Sequence, residues 1–347
     1  LNKDEEEVKK MSINIKPHQH TLRRSVSCNG IGLHTGRRVR ITIKPAAENK
    51  GICFYRSDIA NKPAIPARME RIIDTTLATT ISNGQEKIST TEHLMAALLG
   101  AGIDNATIDI DSHEVPIMDG SAGPFIHLLQ QGGLRKQRAL RKVLRITKPI
   151  SLTDGEKSIR IEPYDGFKIS GTIKFGDNEL LSEQKYSAEL TPERFIREIA
   201  DARTFGFIEQ VEELWKNGLA LGGSLKNVIA IHWNRRSVLN EEGLRFDDEF
   251  IRHKMLDLIG DIALLGSPVL GHVIANRSGH TLHHTLMQTI VDNPDCWEYV
   301  KFRKRGNSVQ PVVLDTRVPK APRKNIKRPS YLPGMLLPPL TRPVCMA

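Results

Sequence analysis

His253 and Asp257 stand four residues apart in a stretch that reads as helix, Arg252-His253-Lys254-Met255-Leu256-Asp257, so both side chains leave one face. An imidazole nitrogen and a carboxylate oxygen one turn apart can hold a divalent metal, zinc above all, at about 2.0–2.2 Å. The same spacing also describes a solvated stripe opposite Met255, Leu256, Leu258 and Ile259. Such a stripe usually pairs acids with Lys or Arg. Here Asp261 extends it by another turn, and one His with two acids suits a cation or a further titrating group better. Two ligands do not make a site, so a third must come from elsewhere.

Two other places offer candidates. Thr91-Glu92-His93 opens an apolar run from Leu94 to Leu99. Ser89 and Glu92 fit a capping box there, which accounts for Glu92 as a structural acid and leaves His93 without a packing reason. Ser278-Gly279-His280 follows an apolar strand and precedes a helix containing His283 and His284. Glycine permits close backbone approach, and a loop at a strand end commonly carries a catalytic side chain, although a surface loop histidine is the plainer reading. His34, His113 and His272 receive no role.

The elements that must position these residues follow from periodicity. Val39–Ile43 and Ala106–Asp111 alternate as half-buried strands, with a helix from Ser89 to Leu99 between them and a second apolar helix, Phe125–Gln130, after the loop Pro116–Pro124. Basic Leu134–Arg141 reads as an inter-domain linker. The second half repeats the order, with strands at Val143–Ile146, Ser158–Glu162 and Phe167–Phe175 and helices near Pro192–Ala202 and Phe207–Gly218. A long helix Asp247–Leu265, a strand Val269–Ala275 and a helix Thr281–Val291 complete it. Each half holds strands, a His-bearing helix ending near glycine, another strand and another helix. The expected fold is α+β, with two similar two-layer domains sandwiched helix layer to helix layer and the site between them. Residues 16–138 form the first domain and 139–315 the second, which carries an insert at about 205–232.

At 347 residues the chain is long enough for two cores, and 39% hydrophobic with 26% charged residues fits a globular protein. Its longest apolar stretch, Ile262–Ala275, is interrupted by Gly266, Ser267, Pro268, Gly271 and His272 and is too short to span a bilayer. Residues 1–15 are expected to be a flexible extension, acidic and without the apolar core of a secretory signal, and Met11 is a candidate start. The four cysteines form no C-x-x-C pair, indicate no disulfide framework and suit a cytoplasmic protein. The net charge of +10 resides entirely beyond residue 300, where eleven Lys or Arg face one acid, Asp315. Residues 316–347, rich in proline, are expected to be a disordered basic tail that touches anionic lipid at most peripherally.

Taken together the motifs resemble one family. Gly30-Ile31-Gly32-Leu33-His34-Thr35-Gly36, Glu92-His93, Pro116 to Ala122, Ala202-Arg203-Thr204-Phe205-Gly206-Phe207, Leu221-Gly222-Gly223-Ser224, His253-Lys254-Met255-Leu256-Asp257 with Gly260-Asp261, and Ser278-Gly279-His280 occur in an order similar to that of the UDP-3-O-acyl-N-acetylglucosamine deacetylases of lipid A synthesis. The resemblance covers about 20–303.

That resemblance implies a zinc-dependent amide hydrolase that removes acetate from a UDP-3-O-acylated sugar, the committed step of lipid A biosynthesis. His93, His253 and Asp257 match the metal ligands, with ferrous iron as an alternative to zinc in cells. Glu92 matches the general base that deprotonates the metal-activated water, and His280, held charged by Asp261, the general acid. Thr204 matches a donor to the oxyanion, and Lys254 adds positive charge toward substrate or intermediate. Phe205 and Phe207 suit aromatic or acyl contact, and Phe207, Leu214, Trp215, Leu219, Ala220 and Leu221 could line an acyl channel, or form plain amphipathic-helix core. Where many relatives carry a cysteine, this chain has Ala78. No obligate protein partner and no nucleic acid are expected. Another zinc amidase acting on N-acetyl sugars and a basic nucleic-acid-binding protein stand as the alternatives.

Overall fold

The computed structural model describes residues 15–174, 183–305, 308–314 and 344–345. Six α-helices occur among them: α1 Glu92–Gly100, α2 Gly123–Gly132, α3 Pro192–Glu198, α4 Val211–Lys216, α5 Glu249–Ala263 and α6 His280–Asp292. The expected N-terminal extension and basic tail lie outside the described residues, apart from Ile15 and the pair Val344–Cys345, which adds a short edge strand to Ile150–Asp154.

In the first half, a five-stranded sheet runs in the order Val26–Ile31, Arg38–Pro45, Ala106–Ile110, Ile52–Arg56, Ala64–Pro66. Alternation is clean on Arg38–Pro45, where Val39, Ile41 and Ile43 are buried and Arg38 and Arg40 exposed. The strand Ala106–Ile110 pairs antiparallel with Arg38–Pro45 and parallel with Ile52–Arg56. In the second half, Val269–Asn276 pairs antiparallel with Lys157–Glu162 and parallel with Phe167–Ile173. Each of these central strands follows one His-bearing helix, α1 or α5, and leads to another helix, α2 or α6. The pairing pattern repeats as the sequence order does.

The α1 and α5 helices pack closely against each other. Nearly every residue of α1 is buried, including Glu92 and His93, which is why its apolar run shows no polar face. Backbone contact at the crossing is close: a Cβ on Gly260 would lie 2.0 Å from the Glu92 carbonyl oxygen. Glycine at that position is what lets the two halves approach.

Four expectations are corrected. Leu134–Leu140, expected as an irregular linker, is a strand; it pairs antiparallel with His18–Leu22, and Arg141 forms a two-toothed pair with Asp104 at 2.8 and 2.9 Å. There is no capping box. Helix α1 starts at Glu92 with Thr91 as its cap residue, and the Ser89 hydroxyl donates to the His113 carbonyl. Phe207–Gly218 is not one helix, because Phe205–Phe207 is a strand parallel to Ile229–Ile231 and only Val211–Lys216 is α-helical, with no residue buried. Cys296 is disulfide-bonded, which spacing does not disclose, while Cys28 and Cys53 are free. No helix among the described residues is long and apolar enough to cross a membrane.

Candidate active site

Helices α1 and α5 carry their polar residues to one point. His93, His253 and Asp257 each offer a ligand atom, all within 4.8 Å of one another and all buried. The Nε2 atoms of His93 and His253 lie 3.5 and 3.3 Å from Asp257 Oδ1. The His253 Nδ1–H donates to the Ala202 carbonyl at 3.0 Å, which fixes the tautomer and leaves the Nε2 lone pair facing the cluster. Burial holds His253 neutral, its pKa lowered to about 3 even though Asp257 pulls the other way. Burial would raise Asp257, but its interactions with the His253 ring and with the Lys254 ammonium hold it well below the usual carboxylate range. Its Oδ2 accepts from Lys254 at 2.8 Å, so Oδ1 is left to the imidazoles. The neutral His253 imidazole, the His93 imidazole and the ionised Asp257 carboxylate make a donor set suited to a divalent metal centre.

The neighbouring residues belong to proton chemistry. Adjacent positions on a helix diverge, so Glu92 turns away from His93 and toward His280, its Oε1 standing 4.0 Å from His280 Nε2. Desolvation raises the Glu92 pKa. His280 opens α6 after Gly279, and its Nδ1–H donates to Asp261 Oδ2 at 2.7 Å. Burial alone would lower its pKa; the Asp261 charge and hydrogen bond, then Glu92 and Asp257, lift it to about 9. His280 is therefore a cation at neutral pH.

A cavity of about 490 Å³ opens over these groups. Glu92, Thr204, Phe205, His253, Lys254, Asp257 and His280 line it, with His93 and Asp261 buried behind. Thr204 is carried there by the segment Ala202–Phe207, which a buried ion pair anchors to the start of α5: Arg203 donates to Glu249 at 2.9 Å and to Glu242 at 2.8 Å. Phe205 stands edge-on to Phe250 at 4.9 Å and has Lys254 Nζ 5.7 Å from its ring centre. Phe207 is off the cavity wall, under the Arg235 guanidinium. The expected channel residues Leu214, Trp215, Leu219, Ala220 and Leu221 do not line the cavity either, and Trp215 and Leu221 are 54% and 53% exposed. The apolar part of that wall is Leu33, Leu77, Phe205 and Leu282.

Several residues of the site received no role from the sequence. His34 reaches the wall because Glu114 accepts from the His34 and Thr35 backbone N–H groups at 2.8 and 2.9 Å and so pins the loop Gly32–Gly36. That loop docks on the second glycine motif, where a Cβ on Gly222 would lie 2.2 Å from the Gly32 carbonyl oxygen. His283 shares Asp261 with His280, also at 2.7 Å, and its three-residue spacing from His280 on one helix face was the available clue. Thr79 bridges the two halves through a hydrogen bond to Asp261, 182 positions away, and nothing local announces it. A second cavity, about 440 Å³, lies around the C-terminal ends of α1 and α5 and contains none of these groups.

Fold and site together define a metal-assisted hydrolase with a carboxylate and an imidazolium beside the metal position. The family model described as LpxC, UDP-3-O-acyl N-acetylglycosamine deacetylase, matches residues 19–292. The chain is 48% identical over 284 residues to the UDP-3-O-acyl-N-acetylglucosamine deacetylase of Syntrophotalea carbinolica, covering 82% of this chain and 91% of that protein. With the corresponding proteins of Methylococcus capsulatus and Myxococcus xanthus it shares 47% and 46% identity, each over 83% of this chain and over 94% and 91% of the relative. This chain belongs to that deacetylase family.

Proposed function

We propose that this protein hydrolyses the N-acetyl group of UDP-3-O-acyl-N-acetylglucosamine, giving the free amine and acetate, with zinc held by His93, His253 and Asp257. The observation that carries the reading is the convergence of those three ligand atoms beside Glu92, whose carboxylate desolvation makes more basic, and a charged His280, both lining the same cavity. Zinc, when bound, supplies Lewis acidity and brings the pKa of a water toward about 7. Glu92 takes the proton of the attacking water, since its Oε1 is the carboxylate oxygen turned to the cavity. The Thr204 hydroxyl, in the lining of the same cavity, donates to the developing oxyanion. His280 delivers a proton to the amide nitrogen, without which an amine is a poor leaving group. Lys254 and Lys157 are the cations on the wall for the diphosphate, and Phe205 with Leu33, Leu77 and Leu282 takes the apolar part of the substrate.

The same reading makes the two halves similar two-layer domains stacked helix layer to helix layer, with α1 and α5 as the facing helices. It is tested by elemental analysis of the purified protein together with acetate release from the acylated nucleotide sugar. One bound zinc and acetate release that falls when the 3-O-acyl chain is shortened are expected. Turnover indifferent to the acyl chain would replace the reading with a general N-acetyl-sugar amidase.

A further inference from the structure

We propose that Thr79 is a positioning residue for both proton-transfer groups, setting Glu92 with its backbone N–H and the Asp261–His280 pair with its hydroxyl. The inference rests on the reading of Glu92 as base and His280 as acid given above.

Thr79 is 1% exposed and sits just ahead of the strand Thr80–Ser82, between the start of α1 and the end of α5. Its N–H donates to Glu92 Oε2 at 3.0 Å. That bond occupies one carboxylate oxygen and leaves Oε1 for proton transfer. Its hydroxyl donates to Asp261 Oδ1 at 2.5 Å and lies 3.3 Å from His280 Nδ1. The other oxygen of Asp261 receives both imidazoles, at 2.7 Å each. Thr79 is itself held, because its carbonyl accepts from the Thr91 backbone at 3.3 Å and the Thr91 hydroxyl at 3.1 Å.

The geometry has a chemical consequence. Asp261 carries three donors on two oxygens, and a buried carboxylate that loses one of them can rotate about its terminal torsion. Rotation would move the Oδ2 atom that orients His280. His283 does not replace Thr79 as a lock, since it binds the same oxygen as His280 and, with burial keeping its pKa low, spends its Nε2 on the Ser278 hydroxyl at 2.9 Å. Only Thr79 fixes Oδ1 among the described residues. A buried hydroxyl needs an acceptor in any fold, so burial alone does not distinguish positioning from structure. Coupling to Asp261 does.

The experiment uses the full chain with its metal. Thr79→Val keeps volume and backbone N–H but removes the hydroxyl, and it should lower kcat about ten- to a hundredfold, the range for losing a hydrogen bond to a charged group. KM and bound metal should stay unchanged. Thr79→Ser should restore kcat to within about threefold, and in the Asp261→Asn background Thr79→Val should cost less than about twofold more. Unchanged kcat in Thr79→Val, a loss confined to KM, or full additivity with Asp261→Asn would each overturn the proposal. Where melting shows Thr79→Val to be unfolded, Thr79→Ala carries the same comparison. Full acetate release by Glu92→Ala or His280→Ala would sink the underlying reading instead, whatever Thr79 does.

Discussion

His280 holds its proton at neutral pH because Asp261 outweighs the desolvation of the ring. The sign is definite. A pKa raised from 6.5 to about 9 keeps the acid charged across the neutral range and releases it as pH rises through 9. The rate profile should therefore show a basic limb well above 6.5, and Asp261→Asn should move that limb downward, because the largest interaction opposing burial is lost while only Glu92 and Asp257 still raise the pKa. The same shift contributes folding stability that is fully present below pH 6.5 and is lost between 6.5 and 9. Kinetics across pH 5 to 10 check the first statement and thermal melts the second; a limb that stays put in Asp261→Asn would remove the carboxylate from this role. The chemistry of these residues was legible from spacing where ligand and partner share a helix, as His253, Asp257 and Asp261 do. It was not legible for Thr79 or His34, whose neighbours are brought by chain closure and by a loop pinned to Glu114.

At the scale of elements, the close crossing of α1 and α5 decides whether the ligands from the two helices meet. Gly260→Ala would place a methyl 2.0 Å from backbone, where no side-chain rotation relieves it, so one helix must shift. The expected cost is about 2–4 kcal/mol in stability, the upper end of overpacking penalties. Displacement of Glu92 and His93 by even about 1 Å should cost on the order of a hundredfold in kcat. Chemical denaturation and acetate release measure the two, and wild-type values for both would mean that the helices are not held at this distance in solution. Periodicity gave the long helices to within a few residues because their apolar faces are wide. It failed for Leu134–Leu140, whose exposed, basic pattern carries no core face, and for residues 205–218, where aromatics at a strand resemble the apolar positions of a helix.

For the whole molecule the decisive quantity is where charge lies. The first 300 residues are neutral in sum; four of the eleven cations beyond them, Lys301, Arg303, Lys304 and Arg305, belong to the strand Trp297–Arg305, and the other seven lie past residue 315. Among the described residues the cavity wall comes entirely from positions 33–285, so the seven Lys or Arg beyond residue 315 are expected to be separable from catalysis. Deleting 316–347 should leave kcat and KM within about twofold of the full chain. It should also abolish whatever cosedimentation with anionic-lipid vesicles occurs at low salt, because attraction of an exposed basic segment falls off within a Debye length of about 10 Å at 0.1 M salt. Loss of acetate release on that deletion would show that the tail takes part in the reaction, and vesicle binding that survives it would locate the membrane contact on residues 1–315.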